Sequence, residues 1–148
     1  MITQTLTPAQ SAASLMTVIP AVTRFLRAEL RQHGQPNFSL SQLRVLYFLN
    51  RKPQSSLSEV ADYLDVTRPT MSAMIERLVQ RGFVQRVDDP QERRRVILTL
   101  THNGTAELEK VYGATLASVA GHLEGLSEEQ LHQLMAGLSV LERLFSDA

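Results

Sequence analysis

Residues 56–101, SLSEVADYLDVTRPTMSAMIERLVQRGFVQRVDDPQERRRVILTLT, constrain the fold of this chain more than any other stretch. Ser56-x-x-Glu59 has the form of a capping box, in which a hydroxyl and a carboxylate satisfy free amides at a helix start. Leu57, Val60, Ala61 and Leu64 follow at helical spacing. Asp65-Val66 turns the chain, and Thr67 caps a second helix with Pro69 in its first turn, where a missing N–H costs little. Met71, Met74, Ile75 and Leu78 recur at i, i+3, i+4 and i+7, which assigns that face to the core. Gly82 stands where a left-handed residue ends a helix. Phe83–Val87 and Val96–Leu100 are rich in β-branched residues and read as two strands. The residues between them, 88–95, are too polar to be buried.

Two short helices around a tight turn, followed by a basic hairpin, predict a winged helix-turn-helix whose second helix fits the DNA major groove. The outer face of that helix carries Arg68, Thr70, Ser72, Ala73, Arg77 and Gln80. Alone, such a face is an ordinary solvated helix exterior; with a wing directly downstream it reads as a recognition surface. Arg68 near the N-terminus can bond guanine O6 and N7 together, discriminating by about 1–3 kcal/mol. Thr67, Thr70 and Ser72 are placed to reach bases or phosphates, and Arg77, about two turns on, a phosphate or Glu92. Arg93, Arg94 and Arg95 alternate in direction along a strand, so some of them point toward DNA. Ser39 and Ser56 open two helices; capping is their ordinary task, and their free amides also suit a phosphate.

Formal net charge is zero, which taken alone argues against a nucleic-acid binder. The distribution of charge argues the other way. From Arg68 to Arg95, seven arginines face four acids, a net of plus three, whereas residues 101–148 carry a net of minus five. The field is local, as a docking face requires. With no cysteine, a disulfide framework, a thiolate metal site and a thiol redox switch are all excluded. No run of about 18 apolar residues occurs, and the N-terminus lacks the pattern of a secretory signal, so no membrane partner is expected and the cytoplasm is the expected location.

The flanks are helical. Leu15, Val18, Ile19, Val22, Phe25, Leu26 and Leu30 form a first stripe, which Pro8 opens and the loop 33–37 stops. Pro20 removes the bond to the carbonyl of Met16 and is expected to kink or split that helix. Ser39-x-x-Gln42 opens the next, with Leu43, Leu46, Tyr47 and Asn50 on one face. Thr101 caps a helix bearing Leu108, Val111, Thr115, Val119 and Leu123. Ser127-x-x-Gln130 opens a last one with Leu131, Leu134, Met135, Leu138, Leu141 and Phe145. The terminal stripes are wide, and soluble monomers rarely keep so much apolar surface exposed. A two-fold dimer with interlocked terminal helices covers them; packing on their own chain alone is the other solution.

The run Asp89-Pro90-Gln91-Glu92-Arg93-Arg94, then Val96-Ile97-Leu98-Thr99-Leu100-Thr101 and Gly104, resembles the wing and following helix start of MarR-type transcriptional regulators. The flanking helices match that family in number and order, so the resemblance covers essentially the whole chain. It implies a mainly α (α+β) fold, a winged helix-turn-helix with a two-stranded wing and N- and C-terminal dimerisation helices. Residues 1–148 then form one domain, with 39–100 as the winged lobe and 1–38 and 101–148 as dimerisation helices. The family's wing usually carries Asp-x-Arg; here it is Glu92-x-Arg94, with Asp89 and Glu92 supporting the wing and Glu92 reaching Arg94 or Arg77. Arg94, by resemblance, enters the minor groove, where a narrow A·T stretch concentrates negative potential.

The resemblance also implies a homodimeric prokaryotic regulator of double-stranded DNA, a repressor relieved by a small-molecule effector, often phenolic or aromatic. Phe25, Leu43, Tyr47 and Tyr112 are candidates for lining the effector crevice, although such residues are more often core. No cofactor is implied. The four histidines, at 33, 102, 122 and 132, form no ligand spacing of a metal site, and no Gly-x-Ser-x-Gly, phosphate-cradling glycine loop or His-Glu-x-x-His occurs. An enzyme is therefore not expected. The rival reading is a winged-helix protein–protein module without DNA binding, favoured by zero net charge and opposed by the arginine-rich wing.

Overall fold

The computed structural model describes residues 5–92 and 95–146. Nine elements follow in order: α1 (Pro8–Gly34), α2 (Leu40–Arg51), β1 (Ser55–Ser56), α3 (Leu57–Leu64), α4 (Arg68–Gln80), β2 (Val84–Asp88), β3 (Val96–Leu100), α5 (His102–Leu123) and α6 (Glu128–Phe145). The chain divides into two compact units, residues 1–115 and 116–148, the boundary falling inside α5. None of the described helices is long and apolar enough to cross a membrane.

Helix starts follow local chemistry. Thr7/Gln10, Ser39/Gln42, Ser56/Glu59 and Ser127/Gln130 each close a reciprocal capping box, so two otherwise orphaned amides are satisfied at each of these helix starts. Pro20 does not split the helix: α1 runs unbroken from Pro8 to Gly34. Met16 and Pro20 both lie at exposed positions, so water can take the carbonyl that proline leaves unbonded. The helix also runs on through His33 and Gly34, into the segment expected to stop it. Gly34 is buried there, and a Cβ on it would stand 2.7 Å from Leu43 Cδ1, so the end of the Leu43 side chain would have to shift to admit one.

The core of the first unit lies under the helix-turn-helix. Leu43, Val45, Leu46, Val60, Met71, Ile75, Leu78 and Leu98 are all fully buried, drawn from α2, α3, α4 and β3. Burying side chains of this size stabilises by roughly 1.5–3 kcal/mol each, so the inner face of α4 alone supplies several kcal/mol against chain entropy. β2 and β3 form the antiparallel hairpin read from the sequence, with Val84 opposite Leu100 and Asp88 opposite Val96. A third strand joins them: Ser55 and Ser56 pair with Leu98 and Ile97, giving the order β1-β3-β2.

Thr101 and Gly104 bind the hairpin to α5. The Thr101 hydroxyl donates to the Gly82 carbonyl at 2.6 Å and accepts from the Gly104 amide at 3.0 Å, capping α5 and holding the end of α4 at once. Its own amide donates to the Phe83 carbonyl at 3.1 Å. A Cβ on Gly104 would fall 2.1 Å from that carbonyl oxygen, so only glycine fits.

In the second unit, the C-terminal part of α5 leads through a short turn into α6, which has no buried residue. Leu131, Leu134, Met135, Leu138, Val140, Leu144 and Phe145 are all exposed along it.

Candidate nucleic-acid interface

The turn between α3 and α4 is made by Asp65 at φ 56°, a left-handed conformation that aspartate tolerates better than most residues. The Val66 amide donates to the Ala61 carbonyl at 3.1 Å, which closes α3 with a six-to-one bond and reverses the chain within two residues. Thr67 then starts α4: its hydroxyl accepts from the Thr70 amide at 3.3 Å and donates to Thr70 Oγ1 at 2.9 Å. Thr67 is therefore engaged with Thr70. At the far end, Gly82 at φ 81° lets the Phe83 amide reach the Leu78 carbonyl at 2.9 Å.

With Met71, Ile75 and Leu78 turned inward, the opposite face of α4 is set by helical geometry. Arg68, Thr70 and Arg77 are exposed and Ser72 is half-buried. Arg68 and Arg77 make no ion pair among the described residues. Three other arginines of this region, Arg81, Arg86 and Arg95, have partners within the chain. Arg86 pairs with Glu76 at 2.8 Å, tying β2 to α4. Arg81 lies 4.9 Å from the ring centroids of both Phe38 and Phe83, a cation–π contact that uses its charge locally. Arg95 donates to Glu59 Oε1 at 2.6 Å.

The wing is shaped by backbone bonds around Asp89 and Glu92. The Asp89 carboxylate accepts from the Gln91 amide at 2.9 Å, the Asp89 amide donates to the Arg95 carbonyl at 2.9 Å, and the Arg95 amide donates to the Glu92 carbonyl at 2.9 Å. The Glu92 carboxylate, expected to reach Arg94 or Arg77, makes no ion pair among the described residues. Arg93 and Arg94 lie outside the described residues.

Ser39 is exposed and accepts from the Gln42 amide at 3.1 Å. Ser56 is buried; its hydroxyl accepts from the Glu59 amide at 3.2 Å and donates to the Glu59 carboxylate at 3.1 Å. Glu59 is legible in the sequence as a cap but not as a partner for Arg95. Partial burial pushes its carboxyl up. Bonds from the Ser56 hydroxyl and amide, then from Arg95 with its charge, outweigh that push and hold it below the usual carboxylate value. The start of α3, the start of α4 and the loop end of the β2–β3 hairpin meet at a recess lined by Ser56, Leu57, Arg68, Glu92, Arg95 and Val96.

Of the candidates for a small-molecule crevice, Leu43 is fully buried, and Tyr47 stacks on Tyr112 with ring centroids 5.1 Å apart and planes 11° from parallel. Burial, then the neighbouring Tyr47 and Tyr63, push the Tyr112 phenol up to about 12. Among the described residues no group of three or more His, Cys, Asp or Glu side chains is placed to hold a metal ion.

A family model described as MarR family matches residues 37–95, the segment from just before α2 to the residue preceding β3. The HTH-type transcriptional regulator BilQ of Clostridium symbiosum is 30% identical over 119 residues, which is 80% of this chain and 81% of that protein. A MarR family protein from Bacillus stearothermophilus superposes with a TM-score of 0.82 at 19% identity, covering 96% of this chain and all of that one. A mutant of MepR from S. aureus, bound to an oligodeoxyribonucleotide, superposes with a TM-score of 0.63 at 22% identity, over 87% of this chain and 96% of that chain. Fold, turn geometry and sequence agree: this chain belongs to the MarR family of winged helix-turn-helix transcriptional regulators and is not an enzyme.

Proposed function

We propose that this regulator is a cytoplasmic homodimer that binds pseudo-palindromic operators in double-stranded DNA and represses transcription until a small aromatic ligand releases it. One observation carries the reading: α4 presents Arg68, Thr70 and Arg77 outward, with both arginines unpaired among the described residues, beside a wing built from an arginine-rich segment. A guanidinium withheld from internal ion pairs is available to a guanine edge or a phosphate. Dimerisation is supported by the apolar side chains exposed on single helices: Met16, Val18, Ile19, Val22 and Leu26 on α1, and Leu134, Met135, Leu138 and Phe145 on α6. Two recognition helices then call for half-sites about 10 bp apart. Repression follows from occupancy, and release from a ligand that favours a dimer whose helices no longer match that spacing.

The test is a gel shift against the DNA upstream of the chain's own coding sequence at two salt concentrations, with the oligomeric state measured by light scattering. About six ionic phosphate contacts per dimer give a slope of log K against log salt near −5. A monomer indifferent to duplex DNA at low salt overturns the reading and leaves the protein–protein module, which the internal engagement of Arg81, Arg86 and Arg95 would suit.

A further inference from the structure

Four capping boxes open helices among the described residues, and three of them use glutamine at the third position: Gln10, Gln42 and Gln130. Only α3 uses glutamate, Glu59. A glutamine would cap α3 equally well, so the carboxylate is surplus to capping. What distinguishes this box is its neighbour. Glu59 Oε1 takes the Ser56 amide at 3.3 Å, the Ser56 hydroxyl at 3.1 Å and the Arg95 guanidinium at 2.6 Å on one oxygen. Arg95 is 36 residues away and directly precedes β3. Its amide and carbonyl already hold Glu92 and Asp89, so the residue that grips Glu59 also closes the wing loop between β2 and β3. β1, immediately ahead of α3, pairs with β3 from the other side through Ser55 and Ser56.

We propose that Glu59 is a positioning residue for the wing: it withdraws Arg95 from the phosphate-binding set and uses it as a strut that aligns the wing with α4, tuning operator affinity and flank preference without touching DNA. The inference rests on the DNA-binding reading above. Both partners are nearly half exposed, 46% for Glu59 and 43% for Arg95, so the pair adds little to global stability and its removal leaves the fold standing. Orientation of the wing is a different matter. Arg95 sits where the five-residue strands β2 and β3 open into the wing loop, so a change in its anchoring acts directly on that loop.

The experiment compares wild type, Glu59→Gln, Arg95→Met and the double variant. The probe is a duplex that the wild type enriches from a random-sequence pool, titrated across salt concentrations. Glu59→Gln keeps the capping box, so its melting temperature is expected within about 2 °C of wild type. Its affinity is expected to fall roughly fivefold per dimer, with reduced selection at the operator flanks and an unchanged salt slope. Arg95→Met gives the same loss, and the double variant is no worse than either. If Arg95 instead held a phosphate in each subunit, Arg95→Met would cut the slope by about 2 and Glu59→Gln would leave binding equal or tighter. Either result overturns the strut. If the wild type enriches no duplex, the DNA-binding reading itself falls and takes the strut with it.

Discussion

Replacing Gly104 by alanine tests the junction that seats the wing on α5. The new Cβ would stand 2.1 Å from the Phe83 carbonyl oxygen, with Phe83 carbonyl carbon at 3.0 Å and Cα at 3.2 Å. An ordinary contact of this kind needs about 3.4 Å, so backbone must retreat by more than an ångström, since no flexible side-chain end is involved. That retreat pulls the Phe83 carbonyl away from the Thr101 amide, now 3.1 Å from it, and strains the Thr101 hydroxyl bond to Gly82 at 2.6 Å. Overpacking costs about 1–3 kcal/mol and a weakened hydrogen bond about 1 kcal/mol. Higher helix propensity of alanine returns less than about 1 kcal/mol so near the helix start. The net expectation is a loss of about 2 kcal/mol, or a melting temperature roughly 4–8 °C lower for a chain of this size. Urea unfolding at fixed protein concentration measures it, with Gly113→Ala as the matched control. A Cβ on Gly113 meets nothing within 4 Å in the same helix, so that variant should equal or exceed wild-type stability. Equal stability of Gly104→Ala and Gly113→Ala would refute the close-approach argument.

Three further outcomes are expected. Arg68→Ala should relax base preference at one operator position by about 1–3 kcal/mol while leaving overall DNA binding measurable, read by selection from a randomised duplex; unchanged selectivity removes Arg68 from the reading residues. Thr67→Ala removes the acceptor of the Thr70 amide and should cost about 1 kcal/mol in urea unfolding, with a two-helix turn that still forms. Ultraviolet titration should show one tyrosine, Tyr112, ionising near 12, and stability should hold below the unfolded phenol value of about 10 and decline above it, because the folded state keeps the proton longer. Replacing Tyr112 by phenylalanine should flatten that alkaline decline, and a decline equally steep in the variant would place its cause elsewhere.

Helix starts, the α4 core face and the two wing strands are readable because each rests on residues a few positions apart. Ser39 and Gln42, Ser127 and Gln130, Met71 with Ile75 and Leu78, and the left-handed Gly82 all act through neighbours along one element. Thr7 with Gln10 follows the same rule and stands hidden behind the stronger signal of Pro8. β1 gives no such signal: two serines have no strand preference, and they are extended because β3 offers a free edge to pair with. Pro20 suggests a split that does not occur, since the cost of a missing bond depends on whether solvent reaches the carbonyl.

Local chemistry along the chain thus dictates which segments coil, where they begin, and which face of α4 turns outward. Closure of the tertiary structure decides how the charges are spent. It sets Arg86 against Glu76, Arg81 over two phenylalanine rings, and Arg95 against Glu59 across 36 residues. A count of arginines cannot separate those from Arg68 and Arg77, because an ion pair depends on which side chains packing brings within a few ångströms, and that distance is written in no short stretch of sequence.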